Sequence, residues 1–177
     1  MMVSNMPFSR FTGGVEEFCK VDVKDLVEWV NSIPEESWPN WIKHPEHKGH
    51  FRPSVNADPE WQDMMTKTYP VVNKILSNFP GCKDTFRAIT TVLPGDYVPP
   101  HTDMQPSDWV VRVHVPITSN PKAEFFSEDQ WTHMDVGKAY LVNTEADHAI
   151  RNFGETPRVH LMFDICSRFA HSNSRML

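Results

Sequence analysis

Apolar residues early in the chain recur at helical spacing. Val23, Leu26, Val27 and Val30 fall at three- and four-residue steps between Val21 and about Ser32, and Ile33-Pro34 closes the run. This pattern predicts an amphipathic helix. Pro59 stands where a first-turn proline is tolerated, and Trp61, Met64, Met65, Tyr69, Val72 and Ile75 follow at mostly three- and four-residue steps. A second helix is expected there, ending near Phe79-Pro80-Gly81 and broken or kinked at Pro70. The intervening stretch, Glu36 to Pro59, has no period and reads as a long ordered loop anchored by Trp38 and Trp41.

After Gly81 the texture changes to short β-branched runs separated by Pro, Gly, Asn and Asp: RAITTVL, VVRVHVPI, AEFF, KAYLVN, HAIRN and RVHLMFDI. Regularly spaced short strands predict a mainly β protein with N-terminal helices, built as an antiparallel jelly roll. At 177 residues the chain suits one globular domain. Its expected parts are a helical region over 1–84, a β core over 85–168 and a frayed tail over 169–177.

Composition narrows the function classes. The net charge of -6, with both signs interspersed, offers no basic stripe for a phosphate backbone, so nucleic acid is not expected as a partner. No apolar run approaches a membrane span and the start MMVSNMPFSR lacks a signal-peptide layout, which makes a soluble cytoplasmic protein the expectation. Cys19, Cys82 and Cys166 are scattered and form no CxxC pair, so neither a disulfide framework nor a thiolate zinc site is indicated. Nine histidines make a metal site worth seeking, although His44, His47 and His50 in a polar segment read as ordinary surface residues.

The segment LPGDYVPPHTD places His101 and Asp103 two apart after a proline-stiffened turn, and His148 opens a later strand. In extended chain, residues i and i+2 share a side, so His101 and Asp103 can meet one ion. Two imidazoles and a carboxylate make a facial triad that leaves three positions open, an arrangement suited to Fe(II) oxygen chemistry. Alone, HxD is a weak signal in a chain with nine histidines. His148 reads equally as a strand-end histidine bonded to backbone, and Asp103 as a turn residue or helix cap.

Ten residues beyond His148, Arg158 opens RVHLMFDI, in which Arg158, His160, Met162 and Asp164 share one face and Val159, Leu161, Phe163 and Ile165 the other. A buried guanidinium there needs a partner that a bound dicarboxylate would supply, whereas a surface ion pair is the plainer alternative. In VVRVHVPI, Arg112 and His114 likewise share one face, which is either solvent-exposed or turned inward as contacts for an oxo-acid.

Taken in order, LPGDYVPPHTD, RVH and NTEADHAIRNFGETPR running into RVHLMFDI resemble the aspartyl/asparaginyl β-hydroxylase family of Fe(II)/2-oxoglutarate-dependent dioxygenases, over roughly Phe86 to Ile165. The resemblance implies a double-stranded β-helix, with His101, Asp103 and His148 as iron ligands and Arg158 pairing the distal carboxylate of 2-oxoglutarate. It further implies that Arg112 and His114 contact the carboxylate beside the metal-bound oxo group and that Thr90 supplies a hydroxyl near the co-substrate. Some animal members carry glycine at the carboxylate ligand, whereas this chain keeps Asp103. The implied cofactors are Fe(II), 2-oxoglutarate and O2, and the implied reaction hydroxylates an unactivated C–H bond of an amino-acid-type substrate with release of succinate and CO2. The substrate could be a small molecule or a peptide, enclosed by the loop from Trp38 to Asn56 and the segment from Met104 to Trp109. Trp38, Trp41, Phe125 and Phe126 are candidate pocket walls, with core packing the plainer reading of each. The rivals are a hydroxylase of a free amino acid or other small metabolite, and a non-catalytic cupin-like metal-binding module.

Overall fold

A computed structural model describes residues 9–33, 50–53 and 59–168. Trp38, Trp41, most of the expected loop and the expected tail lie outside the described residues.

Ten strands and two helices follow in the order β1 (Val15–Lys20), α1 (Lys24–Ser32), β2 (His50–Pro53), α2 (Pro59–Leu76), β3 (Cys82–Val92), β4 (Asp96–His101), β5 (Trp109–Thr118), β6 (Ala123–Ser127), β7 (Gln130–His133), β8 (Lys138–Val142), β9 (His148–Asn152) and β10 (Arg158–Ser167). They form a six-stranded sheet, β1-β8-β5-β10-β3-β2, and a four-stranded sheet, β4-β9-β6-β7. Every strand pairing among the described residues is antiparallel, and the architecture is a double-stranded β-helix.

Alternation on the central strands divides the molecule into two compartments. Val111, Val113 and Val115 of β5 and Val159, Leu161, Phe163 and Ile165 of β10 join Leu26, Trp29 and Val30 of α1 and Met64, Val72 and Ile75 of α2 in one apolar core. The helices therefore cover the outer face of the large sheet. Its inner face carries the polar set Arg112, His114, Arg158, His160 and Asp164, all buried. Phe125, Met134, Tyr140 and Val142 form a smaller apolar cluster inside the roll.

The structure shifts several expected boundaries. Helix α1 begins at Lys24, because Val21 and Val23 enter the core through the bend after β1, and the Lys24 amide donates to Asp22 Oδ1 at 3.0 Å. Helix α2 runs through Pro70 and ends at Leu76, and the Thr68 hydroxyl bonds to the Met64 carbonyl at 2.6 Å. DYVPPH, expected as a turn, is strand β4; its prolines sit where the ladder to β9 is irregular, on the edge of the small sheet where a missing N–H is tolerated. Strands β1, β2 and β7 were not expected: each lies at a sheet edge, and half of VEEFCK is charged.

Candidate functional site

Strand β4 ends at His101 and strand β9 begins at His148, and the two residues are direct partners across the ladder. This pairing sets their rings 4.2 Å apart between centroids. Asp103 follows two residues later, its amide donating to the Thr144 carbonyl at 2.7 Å in the loop that leads into β9. One ligand atom from each of His101, Asp103 and His148 lies within 4.8 Å of the other two.

Hydrogen bonds behind the rings aim them. His101 Nδ1 meets the Pro99 carbonyl at 2.8 Å and His148 Nδ1 meets the Ala146 carbonyl at 3.0 Å. A carbonyl only accepts, so each Nδ1 carries a proton, and in the neutral ring that tautomer leaves the lone pair on Nε2. Those Nε2 atoms lie 3.8 Å from Asp103 Oδ1 and 3.8 Å from Asp103 Oδ2 respectively. Burial pushes the His148 pKa down, against the opposing Ala146 hydrogen bond, which favours the neutral, ligating form. Phe125 stacks on the His148 ring at 5.5 Å between centroids with planes 9° apart. Phe126 instead packs against Trp131 at 5.3 Å.

The Arg112 guanidinium holds Asp103 from behind. Its Nε and Nη2 each donate to the Asp164 carboxylate at 2.8 Å, while Nη1 bonds to Asp103 Oδ2. Burial alone would lower the Arg112 pKa, but the hydrogen bonds and charges of Asp164 and Asp103 outweigh it and raise the value. The polar face of β5 therefore turns inward, and the exposed-face alternative does not apply. Asp164 is the residue that strand patterns undervalued. Its signal was the carboxylate at the end of the Arg158 face, which sits opposite Arg112 in the β10–β5 register. Asp164→Asn is expected to destabilise the fold by about 1–3 kcal/mol, because a buried guanidinium loses its bidentate carboxylate. Chemical denaturation measures this, and an unchanged midpoint would show that Asp103 alone satisfies Arg112.

A second support comes from the chain's start. Arg10 pairs with Glu145 and donates to the Pro106 and Ser107 carbonyls at 3.1 and 3.4 Å, while Gln105 Nε2 donates to Thr144 Oγ1 at 2.9 Å. These bonds join the two loops that carry Asp103 and His148.

A cavity of about 500 Å³ opens over the three residues, lined also by Thr90, Arg112, His114, Phe125 and Met162. Deeper polar groups lie without hydrogen-bond partners among the described residues. Arg158, 1% exposed, has both terminal nitrogens unpaired; Thr90 Oγ1, His114 Nδ1 and both ring nitrogens of His160 are likewise buried and unpartnered. Arg158 is not among the lining residues and sits behind them. Burial pushes its pKa down to about 9. Burial first, then the charges of Arg158, Arg112 and His148, hold the His114 pKa well below its usual value, so His114 is neutral. His160 is depressed similarly by burial and by Arg158.

Natural folds rarely leave a buried guanidinium and several imidazole and hydroxyl groups unsatisfied together. The set is therefore suited to an anionic, multidentate guest, and the His/Asp/His donor set to a divalent ion with coordination positions left open.

The fold and site define a double-stranded β-helix with a candidate facial triad at the open end of the roll. The profile of the aspartyl/asparaginyl β-hydroxylase family matches residues 46–168, more than half of the chain, and the protein belongs to that family. The match reaches further toward the N-terminus than the likeness over Phe86 to Ile165. The chain is similar to an L-proline cis-4-hydroxylase of Rhizobium meliloti, 26% identical over 102 residues, which covers 56% of this chain and 36% of that relative's length. Among solved structures, a Pseudomonas putida prolyl-4-hydroxylase superposes with a TM-score of 0.62 at 12% identity, covering 89% of this chain and 95% of that one. HygX from Streptomyces hygroscopicus, with nickel, 2-oxoglutarate and hygromycin B bound, superposes with a TM-score of 0.58 at 11% identity, covering 88% of this chain and 84% of that one. At these identities the structural matches establish the shared fold.

Proposed function

We propose that the protein is an Fe(II)- and 2-oxoglutarate-dependent dioxygenase that hydroxylates an unactivated C–H bond of an amino-acid-type substrate and releases succinate and CO2. The observation that carries this reading is Arg158, a fully buried guanidinium whose terminal nitrogens have no partner among the described residues, inside the same roll as the His101, Asp103 and His148 cluster. A metal module without turnover has no use for such a cation, whereas a dicarboxylate anchored at the metal neutralises it. Family membership supports the reading, and the name of the proline-hydroxylating relative supports an amino-acid-type substrate.

In this assignment His101 and His148 offer Nε2 and Asp103 a carboxylate oxygen to the iron. Arg112 fixes the orientation of Asp103, as partners behind a ligand do at metal sites. Arg158 pairs with the distal carboxylate of 2-oxoglutarate, and Thr90 and His114 contribute hydrogen bonds from groups otherwise unsatisfied. Bound together, Fe(II), 2-oxoglutarate and O2 supply the oxidising power for inserting one oxygen atom into a C–H bond. Phe125, Val98, Ile150 and Met162 give the cavity apolar walls that keep bulk water from the reacting centre.

Anaerobic addition of Fe(II) and 2-oxoglutarate is expected to produce the weak visible charge-transfer band of the chelate. In air, mass spectrometry of free amino acids, their acylated forms and Asp- or Asn-containing peptides should show one substrate gaining ~16 Da in step with succinate, as insertion of one oxygen requires. Absence of the band sinks the oxygenase reading. A band with succinate stimulated only by an unrelated lipid or nucleobase sinks the amino-acid part alone.

A further inference from the structure

Along the inner face of β10 the cross-strand register sets out four rows. Asp164 lies opposite Arg112, which holds Asp103; Met162 lies opposite His114 and Ala88; His160 lies opposite Thr90; and Arg158 lies opposite Val92. Successive rows are about 6.6 Å apart, two residues of extended chain. His160 therefore stands between the row tied to Asp103 and the buried Arg158 guanidinium.

Its surroundings leave it unsatisfied. His160 is fully buried, and neither ring nitrogen has a hydrogen-bond partner among the described residues. On β5 it faces Pro116, whose side chain neither donates nor accepts, and the His114 ring meets it edge-on at 5.7 Å between centroids. On β3 it faces Thr90, whose hydroxyl is also buried and unpartnered among the described residues. Thr90 and His114 line the cavity, so His160, like Arg158, lies just behind its wall. An apolar side chain would pack at this position without leaving a buried polar atom unmet, and folds rarely bury an imidazole with both nitrogens unbonded.

Burial first, and then the Arg158 charge, keep the ring neutral. A neutral imidazole carries one N–H. Beside Arg158 it offers a donor without adding a second buried cation, which would be costly there.

We propose that His160 is a further co-substrate-binding residue, donating one ring N–H to the distal carboxylate of the five-carbon oxo-diacid alongside Arg158. This rests on the oxygenase reading and deepens it: one charged and one neutral donor hold that carboxylate, and a diacid spanning from the metal to Arg158 runs past the His160 row.

Calorimetry on the full chain, loaded with Zn(II) to bar turnover, tests this with two ligands. 2-Oxoglutarate carries the distal carboxylate, whereas oxalate can chelate the same ion but ends short of His160. His160→Leu and His160→Phe, both without a donor, are expected to lose ~10-fold or more of 2-oxoglutarate affinity, the range for one hydrogen bond to a charged group, and to keep their affinity for oxalate. His160→Gln, which retains an N–H, should keep more of the 2-oxoglutarate affinity than either. Without ligand, the melting temperature of His160→Leu should hold or rise, because an unsatisfied buried polar group gives way to an apolar one of similar size. In the native chain, which needs no variant to fold, the ring nitrogen resonances of His160 should shift with 2-oxoglutarate and not with oxalate. The proposal is overturned if a folded donor-free variant binds 2-oxoglutarate like the native chain, if it loses oxalate and 2-oxoglutarate alike, or if the native His160 resonances do not respond to 2-oxoglutarate. Failure of the oxygenase reading registers separately, as native protein that binds no 2-oxoglutarate and shows no visible band with iron.

Discussion

Changing His101 or His148 to alanine is expected to abolish iron retention and 2-oxoglutarate turnover. Each imidazole is held by a single hydrogen bond from Nδ1 to a carbonyl, so that Nε2 faces the Asp103 carboxylate at 3.8 Å. Removal of either ring leaves one imidazole beside the Asp103 carboxylate, a poorer donor set for a divalent transition ion than the full triad. The loss should exceed the ~10–100-fold that follows removal of an outer partner at a metal site. The variants differ in what else they disturb. His101 has a side chain 39% exposed, so its loss should leave the melting temperature near that of the metal-free native protein. His148 is buried, stacks on Phe125 and bonds to the Ala146 carbonyl, so His148→Ala should also lower stability. Metal analysis after anaerobic gel filtration separates the two effects. Native-like iron content and turnover in both variants would remove the triad from the mechanism.

The central strands were legible because their side chains alternate, and the structure divides them accordingly: Val111, Val113, Val115, Val159, Leu161, Phe163 and Ile165 enter the apolar core, while Arg112, His114, Arg158, His160 and Asp164 form the buried polar face. What the alternation left open was which face would be covered. Arg112 and His114 are buried because a second sheet, β4-β9-β6-β7, closes over them, and that sheet is assembled from the least legible strands. DYVPPH carries two prolines, and QWTH follows a turn in which Glu128 and Asp129 both adopt positive φ, at 50° and 60°, without the Asn-Gly pair that normally announces such a hairpin. Phe86 lines the cavity for a related reason. It reads as an ordinary strand residue, and the β3–β10 register, which slips between Met162 and Asp164, turns it there. The same limit applies to Arg112, whose partners are fixed by cross-strand register and not by local sequence.

Arg158→Ala is expected to weaken 2-oxoglutarate binding by ~2–5 kcal/mol, the usual loss on truncating one partner of a buried charge pair, while iron retention stays near native. Arg158 is buried behind the cavity wall, with both terminal nitrogens unpaired among the described residues and a pKa lowered to about 9 by burial. A base whose folded pKa is depressed binds its proton more tightly in the unfolded chain, so the penalty is fully present below about pH 9 and is relieved as pH rises further toward the ordinary arginine value. At neutral pH the ligand-free fold therefore carries an uncompensated charge, and a carboxylate that reaches it removes the penalty and adds two parallel hydrogen bonds. Two measurements follow from this balance. The native protein should gain thermal stability on adding 2-oxoglutarate with Zn(II), by ~2.7 kcal/mol at a hundred times the dissociation constant, and Arg158→Ala should lose that gain at the same concentration. Without ligand, Arg158→Ala should be destabilised less than a typical large-to-small core change, because removing the unpaired charge offsets part of the cavity left behind. Arg158→Lys, which keeps a charge but not the planar fork, should fall between the two in affinity. A calorimetric dissociation constant for 2-oxoglutarate that is the same in native protein and Arg158→Ala would take Arg158 out of the co-substrate site and leave its burial to be explained by the fold alone.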